Sequence, residues 1–290
     1  MLEPYFRGAT SAAMHLSTVE TRLTYRVREP SHCRFNIEVA HWPTQTIVSE
    51  QLTITPEVAL HTHVEPASGN RFLRFDVPPG PLEVHYKADV EVHWERPADD
   101  LQELPVNEVP DALIGDLLPT RFCESDLLCA FAREQFGQLP PGAARVRGIV
   151  DWVHRHIAYR PGSTNATSTA QDVLAQRAGV CRDFAHLCIT FCRALNIPAR
   201  LVAGYVWFDE PPQDFHAIFE AWLGGRWVLF DATGMAPVDR LVRIGTGRDA
   251  KDVAFSTVFG AVEMTDKLVS VLEHDPREPV AVQGAPMLAA

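Results

Sequence analysis

Residues 82–94, LEVHYKADVEVHW, alternate apolar and polar side chains without a break. Leu82, Val84, Tyr86, Ala88, Val90, Val92 and Trp94 fall on one face of an extended chain. Glu83, His85, Lys87, Asp89, Glu91 and His93 fall on the other. A period of two sustained over this length excludes a helix and dictates a strand with one dry face and one wet face. Such a strand needs partners along its edges and a second apolar layer against its dry face. Shorter runs of the same kind occur around Leu23–Val27, Phe35–Val39, Ile47–Ile54 and Phe72–Val77, divided by Pro, Gly and Asn turn signals. We therefore expect residues 14–96 to form an N-terminal antiparallel β-sandwich domain, with residues 1–13 as an extension. His61 and His63 would share a strand face; with no third ligand in view, they read as surface residues rather than a metal pair.

The period then changes. ERPADDLQELPVNEVPD, residues 95–111, is rich in proline and acid, and 97–110 reads as a linker. Beyond it Val146, Ile149, Val150, Val153 and Ile157 recur at helical spacing, and 124–137 reads as a further helix. Strand-like pieces follow a third helix: RLVAGYVWF, HAIFEAWL and RWVLFDAT. The expected fold class is α+β, with an α+β core over 111–273 and a tail over 274–290.

The third helix carries the chemistry. In RAGVCRDFAHLCITFCRALNIPAR, residues 177–200, the spacing of Phe184, Leu187, Cys188, Phe191 and Leu195 marks an amphipathic helix that Asn196 and Pro198 terminate. Cys181 therefore lies at the helix start, where unpaired backbone N–H groups and the positive end of the dipole favour a thiolate. Cys188 and Cys192 fall on the apolar stripe and read as core. Asp183, in the first turn, suits the dipole. Cys33, Cys123 and Cys129 complete six sparse cysteines, three of them on one helix, a usage that fits a reduced cytoplasm better than a disulfide framework.

A nucleophilic cysteine needs a base, and the base an orienting group. Gly224-Gly225 marks a tight hairpin, so Leu223 faces Arg226 and Ile218 faces Asp231. His216 and Asp231 then become diagonal neighbours on one face, about 5–8 Å apart and within reach of an imidazole–carboxylate bond. A charge at the end of WVLF is unfavourable unless paired. Cys181, His216 and Asp231 together have the form of a thiol catalytic triad.

With these residues in place, the chain resembles the transglutaminase-like superfamily of papain-related fold, and within it the bacterial cysteine-protease branch with a β-rich N-terminal region. The resemblance rests on AYRPGSTNATSTAQDVLAQRAGVCRDFAHLCITFCRALNIPARLVAGYV (158–206), HAIFEAWLGGRWVLFDAT (216–233) and GRDAKDV (247–253), and extends over about residues 14–260. It implies Cys181 as nucleophile, His216 as general base and acid, and Asp231 as its orienting group. Two positions depart from the family pattern: Ile218 replaces the usual tryptophan and Ala232 the usual proline.

The chemistry so implied is thiolate attack on an amide, with a thioester intermediate resolved by water or by an amine. The expectation is a cysteine peptidase or amidase without a cofactor, acting on a peptide or protein amide; a protein-glutamine transamidase and a catalytically idle binding module are the alternatives. RAGVC also resembles the cysteine motif of arylamine N-acetyltransferases, but there the cysteine comes early and here a β domain precedes it. Gln176 or a residue near Thr169 is a candidate to complete the oxyanion hole alongside the Cys181 N–H. No Asp-rich calcium loop is visible. The net charge of −11 argues against nucleic acid and anionic membranes as partners. No apolar run approaches a membrane span, and the N-terminus lacks the pattern of a signal peptide, so a cytoplasmic location is expected.

Overall fold

The computed structural model describes residues 13–274, so the extension and the tail lie outside the described residues apart from Ala13 and His274. The sandwich consists of two four-stranded antiparallel sheets. One has the order β14 (Val262–His274), β1 (Ala13–Val27), β6 (Gly80–Trp94), β3 (Gln45–Thr55). The other has the order β13 (Ser256–Phe259), β2 (Ser31–Phe35), β5 (Arg71–Val77), β4 (His61–Val64). The alternation of β6 does what its period requires: Leu82, Val84, Tyr86, Ala88, Val90 and Val92 are buried against Val19, Leu23, Phe35, Leu73 and Phe75. His61 and His63 lie on the exposed β4. No group of three or more metal-ligating side chains occurs among the described residues.

Three boundaries differ from the sequence expectation. First, the sandwich is completed from the far end of the chain, because β13 pairs with β2 and β14 with β1. The core expected over 111–273 therefore ends near residue 255. Second, the run Phe35–Val39 is a strand only to Phe35. Ile37 and Val39 stay buried, but here the Asn36 amide turns to Arg71 O and Ile244 O, and the chain passes into contact with the second half. Third, 97–110 is docked rather than free. Leu101 O accepts from Ala143 N (2.8 Å), Gln102 O from Gly224 N (2.8 Å), and Glu103 from Gly142 N (3.0 Å).

The second half packs α1 (Cys129–Phe136), α2 (Ala143–His156), α3 (Ala170–Gln176) and α4 (Cys181–Ala194) with a sheet of order β11 (Arg226–Phe230), β10 (His216–Leu223), β9 (Ala199–Tyr205), β12 (Val242–Gly247). A short parallel pair joins β7 (Ala158–Tyr159) to β8 (Ala178–Gly179). From Asp183 to Ala194 every residue of α4 is buried, so its polar members must be bonded internally. Arg193 accordingly donates to Ala199 O, Leu118 O and Arg248 O. The fold class is α+β. The two halves share apolar packing, since Tyr205, Val242 and Ile244 belong to the sandwich core and Tyr205 Oη donates to Ile37 O at 2.7 Å. No helix among the described residues is long and apolar enough to cross a membrane.

Candidate active site

Cys181 opens α4 after a turn built around Gly179 and Val180. Asp183 holds this turn: its Oδ2 accepts from Val180 N (2.9 Å) and Thr164 Oγ1 (2.5 Å), and its Oδ1 from Arg182 (2.8 Å). Glycine is required at 179 because a Cβ there would stand 2.7 Å from Asp183 Cβ. Asp183 is thus a buried brace of the helix start, a more specific role than a first-turn charge.

The hairpin register is as expected, with Leu223 opposite Arg226 and Phe219 opposite Phe230. Gly224 and Gly225 both take positive φ, the requirement of a two-residue turn that follows the strand twist. This register brings His216 and Asp231 together, with Asp231 Oδ2 accepting from His216 Nε2 at 3.0 Å. The other carboxylate oxygen accepts from Thr233 N (2.8 Å) and Thr233 Oγ1 (2.7 Å), so the charge is well satisfied. Burial opposes ionisation of Asp231, but the bonds from His216 and Thr233 hold its carboxyl below the usual range. Burial likewise opposes charge on His216, yet hydrogen bonds to Asp231 and Cys181 push the ring up to about 10. With Nε2 engaged by Asp231, Nδ1 is left for Cys181. All three expected site residues therefore meet, and none comes from the sandwich.

Several further groups surround them. Tyr159 bears on both the backbone N–H and the side chain of Cys181, and burial followed by the charge of Cys181 drives its phenol upward. It reaches this place because β7 runs parallel to β8, pairing Tyr159 with Gly179. A two-residue parallel pairing leaves no periodic signal, so the sequence did not reveal Tyr159. The oxyanion candidates it did suggest are occupied elsewhere: Gln176 Nε2 donates to Ala178 O, and Thr169 caps α3 through Asp172. The GRDAKDV motif forms a brace, with Ala250 N donating to His186 Nε2 (3.1 Å) and Lys251 N to Asp249 (2.9 Å). Ile218 and Ala232, the two departures from the family pattern, are both buried. A cleft of about 670 Å³ opens beside Cys181 and His216, walled by both halves of the chain.

Comparison with known proteins bears on the family and the fold. A family model for the transglutaminase-like superfamily matches residues 130–232, and one for the bacterial transglutaminase N-terminal domain matches residues 15–112. The crystal structure of a "putative cysteine protease" from Cytophaga hutchinsonii is 35% identical, with a TM-score of 0.87 over 92% of this chain and 94% of that one. An uncharacterized protein of Mycobacterium leprae is 30% identical over 52% of this chain and 57% of its own length. One of Mycobacterium tuberculosis H37Rv is 31% identical over 61% and 60% respectively. The chain thus spans less than two thirds of these mycobacterial relatives. With the core and the N-terminal region both matched, and a near full-length structural relative at 35% identity, the chain belongs to the transglutaminase-like superfamily.

Proposed function

We propose that the protein is a cysteine-dependent amide hydrolase, a peptidase or amidase working through Cys181, His216 and Asp231. The observation that carries this reading is a buried imidazole bonded to a carboxylate and standing beside the helix-start cysteine, the arrangement that activates a thiol. The thiolate attacks the amide carbon, and the carbonyl electrons move to oxygen. In this reading the Cys181 N–H, at the start of α4, donates to that oxyanion. Collapse breaks the C–N bond, the departing amine takes the proton of His216, and a thioester remains. Neutral His216 then takes a proton from water as it attacks the thioester, and expulsion of the thiolate releases a carboxylic acid. Asp231 keeps the ring oriented and stabilises its charge in both steps.

Hydrolysis is preferred to transamidation because the cleft is open to solvent and water is the abundant acceptor. A panel of glutamine and peptide amides, assayed with and without added amine, tests the proposal. Release of ammonia or peptide independent of amine is the expected result. Product that incorporates the amine would move the reading to transamidation, and full turnover by Cys181→Ala would end the thiol mechanism.

A further inference from the structure

The cleft beside Cys181 has a charge opposite to that of the whole chain. The protein carries −11, yet the charged side chains lining the cleft are Arg34, Arg182, Lys251 and Lys267 against Asp214 alone. Two of these cations are committed: Arg182 bonds to Asp183, and Lys267 pairs with Asp214. Neither Arg34 nor Lys251 forms an ion pair among the described residues. Arg34 stands on β2, its guanidinium 3.6 Å from the centre of the Phe72 ring, a contact that positions the charge without neutralising it. The acid whose field reaches it, Asp252, is taken by Arg248 at 3.0 Å, and Arg74 adds a like charge.

Two residues further along, Asn36 is fully buried and lines the same cleft. Its amide nitrogen donates to Arg71 O (2.9 Å) and Ile244 O (3.4 Å). Both partners are carbonyls, which fixes the orientation of the amide and turns Oδ1 towards Gly245, closed to a ligand in the cleft, so Asn36 holds the wall and does not itself bind. The walls between these groups are apolar, built from Leu201, Ala203, Ile244, Val253 and Phe255. Unpaired cations beside an apolar wall describe a partner with a carboxylate joined to hydrocarbon.

We propose that the cleft selects a peptide with an acidic residue on the acyl side of the scissile amide, its carboxylate held by Arg34 and Lys251. This rests on Cys181 being the nucleophile. The sandwich then contributes Arg34 to substrate specificity, and the second half contributes Lys251 and the reaction.

Tetrapeptide aldehydes test it, because the Cys181 sulfur adds to the aldehyde carbon while the carbonyl oxygen takes a proton, giving a reversible thiohemiacetal. Matched pairs differing only by Glu or Gln at one position are compared for protection of Cys181 against iodoacetamide. At one position or more, the Glu aldehyde should protect at ~10-fold lower concentration. That ratio should fall towards one in Arg34→Gln and in Lys251→Gln, and should be partly restored in Arg34→Lys. Lys251 is exposed, so its variant gives the readout even if the Arg34 variant folds poorly. Equal protection by Glu and Gln at every position overturns the proposal, as does a preference that survives both substitutions. If no aldehyde protects and iodoacetamide meets Cys181 no faster than a cysteine in a short peptide, the nucleophile reading itself fails and takes this proposal with it.

Discussion

The charge on His216 follows from where its two ring nitrogens point. Nε2 meets the carboxylate of Asp231 and the other side of the ring meets Cys181, and the two hydrogen bonds together outweigh burial. The folded value of about 10 lies above the ordinary ~6.5. The stability contributed by protonated His216 is therefore fully present below about pH 6.5 and is lost as pH rises through 10. Asp231, held below its usual range, acts in the opposite sense: its share is present above about pH 4 and is lost on further acidification. Urea unfolding of wild type and His216→Gln should thus differ more at pH 6 than at pH 10, and a difference independent of pH would sink the assignment. Cys181→Ala removes one of the two bonds, so the His216 ring should titrate at lower pH in an NMR experiment on that variant. In activity, Cys181→Ala should abolish turnover. Asp231→Asn should lose roughly 10²–10⁴-fold by weakening the imidazolium, and the double variant should match Cys181→Ala alone. Cys188 and Cys192 are raised by burial and should resist alkylation while Cys181 reacts. The meeting of Cys181, His216 and Asp231 was legible because each sits at a marked point: a helix start, a strand start and a strand end. Tyr159 and Arg34 were not, because they come to the cleft and its surroundings through long-range pairings that no local period announces.

Among the elements, hairpin β10–β11 shows how far a short pattern can be trusted. Two glycines set the turn, the turn set the register, and the register placed His216 beside Asp231. The C-terminal strands were illegible for the opposite reason. In β14, Val269 and Val271 face the sandwich core, but Leu268 and Leu272 on the other face are apolar and exposed. With apolar residues on both faces the alternation is blurred, and nothing in VEMTDKLVSVLEH says that it pairs with β1. The start of α4 offers a direct test of local geometry. A Cβ at 179 would lie 2.7 Å from that of Asp183, so Gly179→Ala must displace either the turn or the helix. The change should destabilise by ~1–3 kcal/mol. It should also slow alkylation of Cys181, because the carboxylate of Asp183 would lose its bond to Val180 N. Unchanged melting and unchanged thiol reactivity would show that Asp183 does not set the position of the cysteine.

At the scale of the whole molecule, the linear order of the chain conceals how it is assembled. A sandwich of residues 14–96 followed by a core suggests that the two could be separated at the linker. The packing says otherwise. Removing residues 1–96 would leave β13 and β14 without β2 and β1, and would expose Val269, Val271, Tyr205, Val242 and Ile244, all buried in the sandwich core. It would also strip the polar contacts across the join, including Asn70 Nδ2 to Thr246 O (2.8 Å) and Gln45 Oε1 from Arg243 N (2.8 Å). Losses on that scale exceed a net stability of about 5–15 kcal/mol. Residues 97–290 expressed alone should therefore fail to give a cooperative melting transition and should lack a fast-reacting Cys181, although no triad residue has been deleted. A chain cleaved within 97–110 at an introduced protease site should behave differently. Its two fragments keep the pairings of β13 with β2 and of β14 with β1, so they should co-elute in gel filtration and retain the reactive thiol until denaturant is added. If 97–290 melts cooperatively and is alkylated like the intact protein, the sandwich is dispensable to the core and serves only to wall the cleft.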